Sequence, residues 1–408
     1  MRWRLSPWGM GLALAPLGFY YGYISTAIPI LLSARGVSVG EIAGVSSVAF
    51  SPTFWAFALC PVLEVRFSRR TYAFVFAILS ACCLAVSTLL VARLTLFTAV
   101  VTIGCVSTVL FGSAVWSWLA DVIEDRHYNQ VGAWSNIANL GAAGIFSALT
   151  VVLVRRIAVI PAAFSLAIIL LLPTALLLFI PVPARAIRGA AEAFRTLFRD
   201  VRYACRRPGF VLGLVCFLSP TACFALTNIF SSLGRDFHTS ENWVTSINGP
   251  LVAVFCSIGC LAGIWFCHRF RRRTVYVVAG FGGAIAAIAL IGWPHTLGFY
   301  AAGVLAYNFF QGINYTAFGA LQFEIVGPNN PLAATQMGLL AAAVNVPISY
   351  MTAVDGHFHT VLGLRGMLAI DAGSSVVVGT LLLLTFRRFG DAGRQKAQRD
   401  PVFVGAEN

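Results

Sequence analysis

Pro61-Val62-Leu63-Glu64-Val65-Arg66-Phe67-Ser68-Arg69-Arg70 closes one membrane-length apolar stretch, and Cys267-His268-Arg269-Phe270-Arg271-Arg272-Arg273 closes another. They stand at a constant offset of 203 residues: Arg66, Arg69 and Arg70 recur as Arg269, Arg272 and Arg273. The offset holds again for Asp121, after the fourth apolar segment, which recurs as Glu324 after the tenth. A repeat with half the chain as its period means two like units in tandem. Each unit reads as six membrane-crossing helices with basic turns at matching places.

Composition agrees. Of the 408 residues, 59% are hydrophobic and only 11% are charged, too few charges to cover a soluble surface. Apolar windows of about 20 residues place segments near 7–32, 41–64, 71–91, 96–119, 131–154 and 159–180. The second six fall near 210–232, 244–267, 274–293, 296–323, 333–355 and 363–386. Arg2 and Arg4 precede a stretch too long for a signal-peptide core, so the first segment is expected to stay.

The net charge of +13 is unevenly placed. All but six of the 28 basic residues lie at the termini or in the even-numbered connections. The six are Arg35, Arg93, Arg155, Arg156, Arg235 and Arg365. This is the positive-inside bias, so both termini are expected in the cytoplasm and no nucleic-acid partner is expected. None of the ten cysteines has an oxidised partner in prospect outside, and Cys256 and Cys260 lack convergent ligands, so neither a disulfide nor a metal site is expected.

Between the halves, Pro181 and Pro183 open a connection that Pro208-Gly209 closes. Ile187, Ala191, Phe194, Phe198 and Val201 fall at helical spacing among Arg188, Arg195, Arg199, Arg202 and Arg206, which reads as an amphipathic helix on the anionic leaflet. The expected domains are therefore 1–183 and 209–388 as six-helix bundles, 184–208 as linker, and 389–408 as a disordered cytoplasmic tail.

Polar residues inside the segments carry the functional reading. Asn308, Gln311, Asn314 and Tyr315 share one face of the tenth segment, and amides facing lipid would be unsatisfied, so this stripe is expected to face protein or water. Asn136 and Asn139 lie on the fifth segment, Tyr20, Tyr21, Tyr23 and Thr26 on the first, and Thr227 and Asn228 on the seventh. Trp116 lies on the fourth, and Asn345 and Tyr350 on the eleventh. No arginine or lysine falls mid-span, which argues against a polyanionic cargo and for an amphipathic or near-neutral one. Asp371, about 12 Å into the last segment, is the titratable candidate for proton coupling. Pro29, Pro173, Pro220, Pro250 and Pro347 are candidate kinks.

The two basic turns resemble the Gly-x-x-x-Asp-Arg-x-Gly-Arg-Arg loop that major facilitator transporters carry between helices 2 and 3, with Pro61 and Ser68 where glycines stand and Glu64 one place early. The resemblance implies an all-α polytopic membrane protein of twelve helices in two six-helix pseudo-repeats. It implies gating by Arg66, Arg69, Arg70, Arg269, Arg272 and Arg273 against the acids Glu64, Asp121 and Glu324. It also implies a cavity lined by helices 1, 4, 7 and 10, and a monomer. Ala334-Thr335-Gln336-Met337-Gly338-Leu339-Leu340 with Pro347 resembles the muropeptide permease group, which includes acetyl-CoA transporters and siderophore importers.

The expectation is a secondary transporter of the bacterial inner membrane, moving a siderophore-like or cell-wall-fragment-like small molecule with protons and without a cofactor. Drug or metabolite efflux on the same fold is the near alternative, and a non-transporting receptor is the alternative of another class. An enzyme is not expected, because His357 and His359 have no accompanying acid or nucleophile motif.

Overall fold

The computed structural model describes residues 5–182, 199, 201–234, 236–328, 330 and 332–399, and these are helical nearly throughout. The N-terminal bundle holds α1 (Pro7–Ser33), α2 (39–64), α3 (Arg69–Leu89), α4 (Leu94–Val122), α5 (Tyr128–Arg156) and α6 (Val159–Phe179). The C-terminal bundle holds α7 (208–234), α8 (Asn242–Arg269), α9 (Arg272–Gly292), α10 (Leu297–Val326), α11 (333–362) and α12 (364–399).

Nine helical runs among the described residues are long and apolar enough to cross a membrane. One of them, Ala333–Phe386, crosses twice: Tyr350 donates to the Leu218 carbonyl at 3.1 Å, while Thr221 donates to the carbonyl of Ser375 at 3.1 Å. Contacts 25 residues apart in this run meet points three residues apart in α7, so the chain reverses between them. It does so at Gly363, whose φ of 69° suits a residue without Cβ. α10 falls outside the nine because its polar stripe lowers its hydropathy, and α7 because it is broken. Counting α7 and α10, the described residues accommodate the twelve expected segments.

Proline placement explains most departures from regular helix. With no N–H at Pro29, Pro61, Pro173 and Pro250, the i to i−4 ladder loosens locally. The π-turn Tyr23–Ala27 lies beside Pro29 and the π-turn Ile247–Leu251 contains Pro250, while Pro61 and Pro173 sit in 3₁₀ turns. α2 starts at a capping box, and the two hydrogen bonds from Ser38 hold the Glu41 carboxyl below its ordinary range.

The seventh segment departs from the continuous helix expected over 210–232. Its helix ends at Leu218, Ala222 and Phe224 adopt left-handed φ of 62° and 55°, and only 3₁₀ turns follow at Ala225–Asn228 and Phe230–Gly234. Pro220 removes one rung, and hydropathy windows do not register a missing rung. The last helix runs on to Arg399 where a disordered tail is expected, carried by helix formers such as Ala392, Gln395 and Ala397. The expected linker helix over 184–208 lies largely outside the described residues, as do residues 400–408.

The bundles approach closely where α5 crosses α10. A Cβ on Gly132 would come within 2.9 Å of the Ala320 amide nitrogen, and one on Gly319 within 2.9 Å of Gly132 Cα. Only residues without side chains allow this approach, the usual basis of close helix contact in membranes.

Candidate functional site

The basic turns place their arginines against acids at one face of the molecule. Arg69 opens α3 and lies 2.6 Å from Asp121 at the end of α4, with side-chain exposures of 4% and 8%. Its guanidinium also donates to the Ser117 carbonyl and, across the bundles, to the Asn330 carbonyl at 3.3 Å. Arg272 opens α9 and donates to Glu324 at 3.0 Å, the repeat-equivalent pair. It also reaches the other bundle, at 2.7 Å to Asp125 and 2.8 Å to Asn129 Oδ1. Charge-assisted donors of fixed fork geometry suit a contact that forms and breaks as a unit.

The remaining basic residues of the turns stand apart from these pairs. Arg66 is exposed, at a left-handed φ of 46°, with its guanidinium over Phe67. Arg269 is exposed, Arg70 and Arg273 are half-buried, and Glu64 is buried at the end of α2. Asp125, Asn129 and Asn330 escaped the sequence reading because the repeat does not pair them. Their only mark is a polar loop after the fourth and tenth segments.

Below this face an apolar seal of aromatics, Trp116 and Tyr128 on either side of Phe323, joins the bundles. Next comes a cavity of about 300 Å³ between the halves. Tyr21, Trp116, Asn136, Asn139, Asn314, Tyr315 and Asn345 line it, together with Ser113 and Gln322. Asn136 spans its floor, donating to the Tyr315 carbonyl of the other bundle at 3.0 Å. No charged side chain is among the described residues that line it. Ser113 and Gln322 carry no periodic signal of their own; they belong to the site because α4 and α10 converge there.

Other candidate residues lie elsewhere. Tyr20 and Tyr23 point into the packed N-terminal bundle, where Tyr20 donates to the Val101 carbonyl and Tyr23 shares a hydrogen bond with Ser87. Helical spacing puts Tyr21 on one face and its neighbours on another. Thr26 is exposed towards the end of the bundle away from the basic turns. Thr227 donates towards Asn308 and Gln311 at 3.4 and 3.5 Å, so part of the α10 stripe holds α7 rather than the cavity. Asn228 donates to Thr352 at 3.3 Å. All ten cysteines are free thiols.

Two six-helix bundles, clasped at one face by arginines around a polar cavity at mid-depth, have the architecture of a secondary membrane transporter. The sequence matches the family model described as Major Facilitator Superfamily over residues 10–350, and the chain belongs to that family. No curated protein matches the sequence. Among solved structures it is similar to a proton:xylose symporter (TM-score 0.69, 14% identity, 94% of this chain and 95% of that one). It is similar also to the E. coli fucose:proton symporter (0.69, 13%, 92% and 98%). A third is a bacterial homologue of the iron transporter ferroportin in an outward-facing state (0.66, 12%, 92% and 98%). At these identities the likeness establishes the fold.

Proposed function

We propose that this chain is a secondary active transporter of a bacterial inner membrane, with both termini in the cytoplasm, and that it carries an amphipathic small molecule by alternating access with protons. The observation that carries this reading is the uncharged cavity of about 300 Å³ between the bundles, sealed at its basic face by Arg69 and Arg272. An amide and aromatic lining recognises rings and hydrogen-bonding groups and offers a polyanion nothing. Neutral siderophores, and the sugar and amide parts of cell-wall fragments, have the required chemistry, and the Ala334–Leu340 stretch supports the same subgroup.

The positive-inside bias assigns the clasped face to the cytoplasm. The described state is then closed inside, and the clasp opens when the bundles rock. Proton coupling draws support from Asp371, buried in α12, and from the two sugar:proton symporters among the similar structures.

The test is a thermal-shift screen of the full-length protein with aromatic siderophores, anhydro-muropeptides, acetyl-CoA and hydrophobic drugs, followed by flux in proteoliposomes. A stabilising ligand raises the melting temperature by mass action, and Asn314→Ala should abolish the shift. A shift with acetyl-CoA alone would refute the uncharged-cargo reading. Binding without flux would make the protein a receptor.

A further inference from the structure

Two carboxylates lie inside the C-terminal bundle at one depth. Asp355 stands eight residues before the Gly363 turn and Asp371 eight residues after it. At 1.5 Å per residue, each is about 12 Å from the turn along antiparallel helices. Asp355 is 0% exposed, and neither of its carboxylate oxygens has a hydrogen-bond partner among the described residues. Asp371 is 5% exposed and receives one long hydrogen bond, from the Tyr307 hydroxyl at 3.5 Å. The two carboxylates are within electrostatic range of each other, and Cys223 and Tyr307 are within range of both.

No cation among the described residues answers this charge. α10 presents Tyr307 and α7 presents Cys223, while α9 offers only Gly280, Gly283 and Ala284 to the space beside Asp371. His359, one turn beyond Asp355, is engaged with Asp236 at 3.6 Å. Arg365 is exposed and Arg235 lies outside the described residues. Two ionised carboxylates left bare at this depth would repel each other and lack water, so their stable state includes a positive partner.

The space for one exists. A cavity of about 10 Å³, enough for one water-sized particle, lies against Asp371, Tyr307, Ser375 and the unwound stretch of α7. Unwound backbone inside transporter helices is where carbonyl oxygens become available to an ion. Ala222 and Cys223 of that stretch form a wall of this small cavity and also of the central cavity. An occupant on one side therefore shares its wall with a cargo on the other.

We propose that Asp355, Asp371 and the Tyr307 hydroxyl, with the broken α7, form a site for one small monovalent cation, a proton or a sodium ion. The pair acts as one unit: a single positive charge in the cavity against Asp371 offsets the repulsion between the two carboxylates, and its departure restores it. The site stands on its own geometry; its role as the coupling site rests on the transporter reading above.

The test uses the full-length protein in nanodiscs, with sodium chloride varied against choline chloride at constant ionic strength, at pH 6 and pH 9. If sodium is the occupant, it raises the melting temperature at pH 9 by several degrees over choline, and less at pH 6, where protons compete. If the proton is the occupant, the melting temperature falls from pH 6 to pH 9 whatever the salt. In either case the Asp355→Asn/Asp371→Asn variant, neutral as a neutralised pair is, loses that dependence. A wild-type protein indifferent to both ions, or a dependence unchanged in the variant, overturns the site.

Should the variant not fold, infrared difference spectra of the wild type replace it. Addition of acid or sodium must alter carboxyl bands, and unchanged bands overturn the site. Flux separates the two readings. Cation binding with transport indifferent to any ion gradient removes the coupling role and leaves the site, whereas gradient-driven transport without cation binding removes the site and leaves the transporter.

Discussion

Arg272 Nη1 lies 2.7 Å from Asp125 Oδ1, so an arginine of the C-terminal bundle is tied to the loop that follows α4 in the N-terminal one. Its repeat-equivalent, Arg69, makes the mirrored reach to the carbonyl of Asn330, in the loop that follows α10. Each arginine therefore holds an acid of its own bundle and a loop of the other. The clasp has the pseudo-two-fold symmetry of the repeat, although Asp125 and Asn330 are not repeat-equivalent residues.

Burial separates the two halves of this clasp energetically. Arg69→Ala removes the nearest cation from a carboxylate whose side chain is 8% exposed, and should cost about 3–5 kcal/mol. Asp125→Ala removes an acid whose side chain is 75% exposed, and should cost under about 1 kcal/mol. Equilibrium unfolding in detergent measures both, and equal losses would contradict the burial argument.

A wedge at the α5–α10 crossing should open the basic face. Gly132→Leu puts a side chain where even a Cβ meets Ala320 at 2.9 Å, so the bundles must part there. Cys60, fully buried and packed beside Gly338 of the other bundle, should then become more than about tenfold more reactive to maleimide, a population shift of at least about 1.4 kcal/mol. Unchanged labelling at Cys60 would mean that the crossing does not govern opening.

Neighbouring tyrosines should behave differently. Tyr20→Phe loses one buried hydrogen bond and should cost about 1 kcal/mol of stability with ligand affinity unchanged. Tyr21→Ala truncates the cavity wall and should weaken binding by about tenfold, equivalent to about 1.4 kcal/mol. Calorimetric titration of whichever ligand the screen yields, alongside melting curves, tests the contrast. An affinity loss in Tyr20→Phe would place that residue in the site.

The broken α7 carries backbone strain that glycine should relieve. Ala222→Gly, at φ 62°, should raise the unfolding free energy by about 1 kcal/mol, since a left-handed conformation costs an L-residue about that much. A drop instead would mean that the methyl's packing against α9 outweighs the strain.

Much of this architecture is legible in one dimension. The 203-residue offset, the apolar windows and the side on which arginine collects together define twelve crossings in two bundles, because lipid imposes length and hydrophobicity on each crossing independently. The same offset maps Arg69 onto Arg272 and Asp121 onto Glu324, and the structure holds an arginine–acid contact in each half, Arg69 with Asp121 and Arg272 with Glu324. What repeats in sequence repeats in space.

Contacts between non-equivalent elements were not legible. Asp125 faces Arg272 only because the two bundles approach at that face, and Tyr20 is packed away while Tyr21 meets the cavity because of how α1 is rotated against α4 and α5. Asp355 closes the segment expected over 333–355, where an acid reads as solvated. The tight turn at Gly363 carries α11 further and folds Asp355 back to the depth of Asp371. Hydropathy is a property of each segment by itself and was enough to determine the crossings. Rotation of one helix against another, and the meeting of residues far apart in the chain, depend on side chains packing across interfaces, and those only the tertiary structure decided.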